Sequence, residues 1–101
     1  MKKWKSYKPG VADKKFDAII IGSGIGGLCT AALLSLKGKR VLVLEKHFKI
    51  GGWTHTFRRD NYEWDVGIHY IGQVHNSYSP IRRLFDLISG GKLQWSPMDK
   101  N

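Results

Sequence analysis

Residues 16–46 read FDAIIIGSGIGGLCTAALLSLKGKRVLVLEK, and the order of elements in this stretch decides the fold. A short apolar run, Ala18-Ile19-Ile20-Ile21, enters a glycine turn, Gly22-Ser23-Gly24-Ile25-Gly26-Gly27, that opens directly into a helical pattern. The helix is predicted to stop at Gly38. A second apolar run, Val41-Leu42-Val43-Leu44, follows and ends on an acid, Glu45. Strand, glycine turn, helix, strand and acid in this order form the βαβ context that a dinucleotide site requires.

Each part of the pattern has a physical reason. Gly22 permits the tight turn, Gly24 lets backbone approach a pyrophosphate, and Gly27 lets the helix pack close to the strand. Free N–H groups at the helix start, with the positive end of its dipole, receive the phosphates, so Gly22, Ser23, Gly24, Ile25, Gly26 and Gly27 are the first candidate cofactor residues. Glu45 stands 21 residues after Gly24, where a carboxylate accepts a hydrogen bond from a ribose 2′-OH. The plain alternative is a glycine turn that serves only strand–helix packing. The full succession of elements favours dinucleotide binding.

Outward from this unit the chain is short. Its 101 residues hold one small domain at most, and only two strands of a parallel sheet are visible before Glu45. Such folds normally carry more parallel strands, with helices on both faces. The expected fold class is therefore α/β: a Rossmann-type βαβ unit with a following β-hairpin and short helix, on an incomplete sheet. Residues 16–101 read as the N-terminal, truncated part of an FAD/NAD(P)-binding domain. Residues 1–15 read as a basic flexible leader.

The net charge is +9, and the first fifteen residues, with six Lys and one Asp, carry +5 of it. The leader lacks an apolar h-region and so does not read as a secretory signal. Its lysines interleave with Trp4 and Tyr7, a pattern compatible with an anionic membrane surface or nucleic acid, although a solvated leader is the commoner fate. The expectation is a protein in the cytoplasm or peripherally bound to a membrane, with no nucleic-acid partner. The lone Cys29 excludes an intramolecular disulfide and reads as a small apolar helix residue. No apolar stretch approaches the ~18 residues of a membrane span.

Beyond Glu45, Lys46 to Trp53 is a loop with a second glycine pair, Gly51-Gly52. Alternation in Thr54–Arg58 and Tyr62–Val66, around Asp60-Asn61, predicts a β-hairpin. Gly67 to Gly72 is a short extended piece. Ser79-Pro80 has the form of an N-cap and first helical residue, ahead of Ile81, Leu84, Phe85 and Ile88 on one face, with Gly90-Gly91 as the stop. Leu93-Gln94-Trp95 is expected as a last short strand. His47, His55 and His75 share no ligand spacing with Cys29, so no metal is assigned.

The combination IGSGIGGL, GKRVLVLEKH, Gly51-Gly52-x-x-HTF, and D-x-GIHYIG from Asp65 to Gly72 resembles a flavoprotein family. It is that of the retinol saturases (all-trans-retinol 13,14-reductases) and carotenoid isomerases, within the phytoene desaturase and amine oxidase group. The likeness covers about residues 16–98 but only the opening stretch of much longer polypeptides. It implies FAD, with the alternative of NAD or NADP, and a retinoid or other polyene substrate whose C=C bond is reduced. It also implies that Lys46 lies alongside the adenosine, that Gly51, Gly52 and Thr54 form a second wall around the pyrophosphate, and that His69 lies near the flavin. His69 is then a candidate to tune the flavin or relay a proton, against the plainer reading of a strand histidine with a satisfied hydrogen bond. One departure stands out: many relatives carry Arg after the glycine pair, and this chain has Trp53. Two other readings stay open, an NAD(P)-linked dehydrogenase fragment and a non-catalytic basic binding module. The isolated fragment is expected to turn over no polyene.

Overall fold

The computed structural model describes residues 5–68 and 70–98. The first glycine unit folds as its sequence dictates: β1 (Ala18–Ile21), helix α1 (Ile25–Leu36) and β2 (Val41–Leu44). The two strands pair in parallel from Ala18↔Val41 to Ile21↔Leu44. Flanking backbone bonds extend the ladder, Asp17 N–H donating to Arg40 O (2.8 Å) and Gly22 N–H to Leu44 O (2.7 Å). The Asp17 carboxylate also accepts from Arg40 N–H at 2.8 Å. This register has a direct consequence. Gly22 comes level with Glu45 at the end of the ladder, and Ser23, one residue on, lies close enough for its N–H to reach the Glu45 carboxylate at 2.7 Å.

Helix α1 ends where the glycine signal predicts. Lys37 N–H bonds Leu33 O and Leu34 O, and Gly38 takes the left-handed conformation with φ 77°. The apolar stripe is only partly covered: Leu28, Cys29 and Ala32 are half-buried, whereas Ile25 and Leu36 are exposed. Two strands do not offer enough sheet width to cover a twelve-residue helix from end to end.

A second, separate sheet is the antiparallel hairpin of β3 (Thr56–Arg59) and β4 (Tyr62–Asp65), turning at Asp60-Asn61 with Asp60 at φ 54°. The sequence places Thr54 and His55 in the first hairpin strand. Instead Gly52–Thr54 forms a 3₁₀ turn, with Thr54 N–H on Gly51 O (3.0 Å) and His55 N–H on Gly52 O (3.3 Å). Helix α2 (Pro80–Ser89) begins at Ser79, whose Oγ accepts from Arg82 N–H at 3.3 Å, and ends at Gly90 with φ 62°. Its Phe85 is buried and meets Trp95 edge-on at 5.4 Å.

The short strand expected at Leu93–Trp95 does not form. That segment is irregular and pairs with no strand among the described residues, and a lone extended run is not a strand without a ladder. Before β1, Val11–Asp13 makes one 3₁₀ turn. Among the described residues, no helix is long and apolar enough to cross a membrane.

Candidate functional site

The site is built where the β1–α1 turn meets the end of β2. Gly22 has φ 100°, a conformation that favours glycine at the sharp exit from the strand. Gly27 is required by space: a Cβ there would lie 2.3 Å from Gly22 O, so the helix start and the turn touch backbone to backbone. Gly24 is the opposite case. A Cβ on it would meet nothing within 4 Å, and its backbone faces open space at the mouth of the loop.

No side chain caps helix α1 at Gly24, and the first amide to bond along the helix is Leu28 N–H, onto Gly24 O at 2.9 Å. The amides of Ile25, Gly26 and Gly27 precede that bond and have no carbonyl a turn behind them. Uncapped amides, the dipole end and an open glycine face make a cradle of the size and sign that a diphosphate fits.

Glu45 points into the mouth of this loop. Its Oε2 accepts from Ser23 N–H at 2.7 Å and from the Ser23 hydroxyl, and its Oε1 accepts from His47 N–H at 3.0 Å. The His47 amide first, then the Ser23 hydroxyl and amide, hold the Glu45 carboxyl at about 2, well below its ordinary 4.5. The group is an anion at every physiological pH.

The second glycine pair docks on the first loop. Gly51 N–H bonds Ser23 O (3.0 Å) and Ser23 Oγ (3.1 Å), and Ser23 is 1% exposed. Gly51 and Gly52 have φ 112° and 57°, and a Cβ on Gly52 would stand 3.1 Å from Gly24 Cα. The two glycine segments therefore abut. Thr54 is exposed, and its hydroxyl donates to Gly51 O at 2.5 Å. Lys46 is exposed beside Glu45.

Trp53, where the resemblance leads one to expect Arg, is 73% exposed and packs against Gly67, on which a Cβ would come within 2.7 Å of the indole. Gly67 N–H bonds Trp53 O at 3.1 Å. Past Gly67 an open cleft of about 600 Å³ runs from Ile25, at the glycine loop, along Ile68, Tyr70 and Ile71 to Phe85. His69 lies outside the described residues. His47 and His55 approach with ring centroids 5.2 Å apart, and among the described residues no group of three potential ligands could hold a metal ion.

The structure thus brings together Gly22, Ser23, Gly24, Gly27, Glu45, Gly51 and Gly52. No sequence signal gives a direction for the Ser23 side chain; it faces inward to Glu45 and Gly51, a placement that follows from the fold of the loop.

Comparison with known proteins agrees with this geometry. Residues 20–88 match the family described as NAD(P)-binding Rossmann-like domain. The chain is 52% identical over 83 residues to all-trans-retinol 13,14-reductase of Danio rerio, covering 82% of this chain and 14% of that protein. It is 53% identical over 85 residues to the enzyme of that name from Rattus norvegicus, covering 84% and 14%. Prolycopene isomerase 2, chloroplastic, of an Oncidium hybrid cultivar is 56% identical over 54 residues, covering 54% and 9%. The chain spans about one seventh of the length of the curated reductases it matches. The resemblance to the retinol saturases and carotenoid isomerases is matched by these relatives, and the α/β reading by the family. This chain, with a dinucleotide-type glycine loop at its centre, belongs to the NAD(P)-binding Rossmann-like domain family.

Proposed function

We propose that this chain supplies the FAD-binding part of an oxidoreductase that reduces a C=C bond in a conjugated polyene, of the kind named in its 13,14-reductase relatives. The observation that carries the reading is Glu45 held at the glycine loop by Ser23, with the second glycine pair docked on the same serine. A carboxylate at that place accepts from the adenosine ribose, and the uncapped amides of α1 take the diphosphate. The Gly51-Gly52 segment, pressed against Gly24, supplies a second wall that a single glycine loop lacks. The cleft from Ile25 to Phe85 gives the far half of an extended dinucleotide somewhere to lie.

Bound there, a flavin would supply hydride and electron transfer to the polyene. The residues of this chain bind and orient. Glu45 fixes the sugar, the α1 amides offset the diphosphate charge, and Ile68 and Ile71 give the cleft an apolar wall. Thr54 contributes by holding the second loop through Gly51 O rather than by reaching a phosphate.

A nicotinamide dinucleotide is the second reading, favoured by the family match itself. Spectroscopy and titration separate the two. Protein purified after FAD loading is expected to retain a flavin spectrum through gel filtration, and FAD is expected to bind at least about tenfold more tightly than NAD. Tight NAD binding with no retained flavin would replace FAD with nicotinamide.

A further inference from the structure

We infer that Ser23 is a positioning residue that sets the orientation of Glu45 toward a ribose hydroxyl, and not a ligand of the phosphates. The inference rests on the dinucleotide reading and assigns to Ser23 a role different from that of the glycines around it.

The geometry leaves the Ser23 side chain little freedom. It is 1% exposed, its hydroxyl proton goes to Glu45 Oε2, and its oxygen accepts from Gly51 N–H at 3.1 Å. A hydroxyl has one proton to give, so none is left for a phosphate oxygen. The same residue donates its backbone N–H to the same carboxylate oxygen at 2.7 Å. Oε2 is thereby held from two directions. His47 N–H donates to Oε1 at 3.0 Å, and the Lys46 amide also stabilises the carboxylate.

A carboxylate fixed at both oxygens cannot rotate freely about its terminal torsion, which is otherwise broad. The carboxylate is therefore aimed before any ligand arrives. Preorganisation of this kind raises affinity by removing an ordering cost that binding would otherwise carry. Loss of the Ser23 hydroxyl leaves the Glu45 charge in place and removes one of the two bonds on Oε2, so the carboxylate keeps its backbone donors and loses part of its aim. Gly51 loses one of two acceptors and keeps Ser23 O at 3.0 Å, so the second loop retains its backbone tether.

The test is a ligand-discrimination cycle read by calorimetry, with ADP and 2′-deoxy-ADP as probes. The unmodified protein is expected to bind ADP about tenfold more tightly than the deoxy compound, the effect of one hydrogen bond to a charged group. In Ser23→Ala that ratio is expected to fall to about threefold, with most of the loss on ADP, because one of the bonds that preorganise the carboxylate is gone. Ser23→Cys keeps the volume with a weaker donor, and its ratio is expected to fall between the two; it serves if the alanine variant does not fold. A ratio unchanged in either variant, with both ligands weakened equally, would show a merely structural serine and overturn the inference alone. Failure of the unmodified protein to bind either nucleotide would overturn the dinucleotide reading, and this inference with it.

Discussion

Gly24 and Gly27 sit three positions apart in one turn yet answer to different constraints, and single substitutions separate them. Gly24 has φ −67° and open space where a Cβ would go, so Gly24→Ala is expected to leave stability within about 0.5 kcal/mol. Its methyl group would occupy the approach to the diphosphate, and ADP affinity is expected to fall about tenfold or more. Gly27→Ala places a methyl 2.3 Å from Gly22 O and must push α1 off the turn, at a cost of about 1–3 kcal/mol. Urea midpoints and ADP titrations of both variants check the pair. Equal midpoints for the two variants would contradict the packing argument.

The pH dependence of Glu45 belongs to the same scale. Its folded pKa of about 2 lies below the ordinary 4.5, so the unfolded chain binds its proton first as the pH falls. The stabilisation from the bonds of Ser23 and His47 to the carboxylate is thus complete above pH 4.5 and fades between 4.5 and 2. The stability difference between the unmodified protein and Glu45→Gln should be flat from neutral pH to about 5 and shrink below it. A difference that instead grows on acidification would give the shift the wrong sign.

At the scale of elements, α2 is the clearest case of local control. Ser79 Oγ accepts from Arg82 N–H and donates to Gln73 O at 2.6 Å, so one side chain both caps the helix and ties its start to the preceding loop. Ser79→Ala is expected to cost about 1–2 kcal/mol, measurable as a lower urea midpoint and reduced helical ellipticity. Ser79→Asp, which keeps an acceptor at the cap, should recover part of the loss. Both ends of this helix were legible in the sequence, because caps and glycine stops act within one turn of chain. So were β1, α1 and β2, where period and punctuation agree.

What could not be read was anything decided across the chain. The Thr54-His55 pair alternates like a strand but is captured by the turn that pins Gly51, and Trp95 reads as strand but has no ladder partner among the described residues. Within the site, the residues came from the motif, whereas the inward turn of Ser23 came from the fold of the loop, a tertiary fact. The contact of Trp53 with Gly67 spans fourteen positions and no local pattern announces it.

At the scale of the whole molecule, the radius of gyration is 16.0 Å, against about 13 Å for a compact chain of this length. The excess goes with uncovered apolar surface: Ile19 and Ile21, on one face of β1, are 55% and 87% exposed, and Trp64 on the hairpin is 55% exposed. Val74 and Phe85 are the buried apolar side chains among the described residues. The isolated chain is therefore expected to bind the dye ANS strongly, and Ile19→Thr with Ile21→Thr to reduce that signal while raising solubility. A dye-silent isolated chain would show that this face is covered in solution.

The meeting of Ser23 with Glu45 has one more effect, on the timing of assembly. Two groups 22 positions apart can clasp only after the parallel ladder between them has closed, so the nucleotide pocket cannot exist on an unzipped chain. Any adenine nucleotide seated there would then act as a latch, its occupancy drawing the equilibrium toward the zipped form in proportion to concentration. Refolding yield should accordingly climb with added ADP and stay flat with added adenosine, which carries the sugar but no diphosphate.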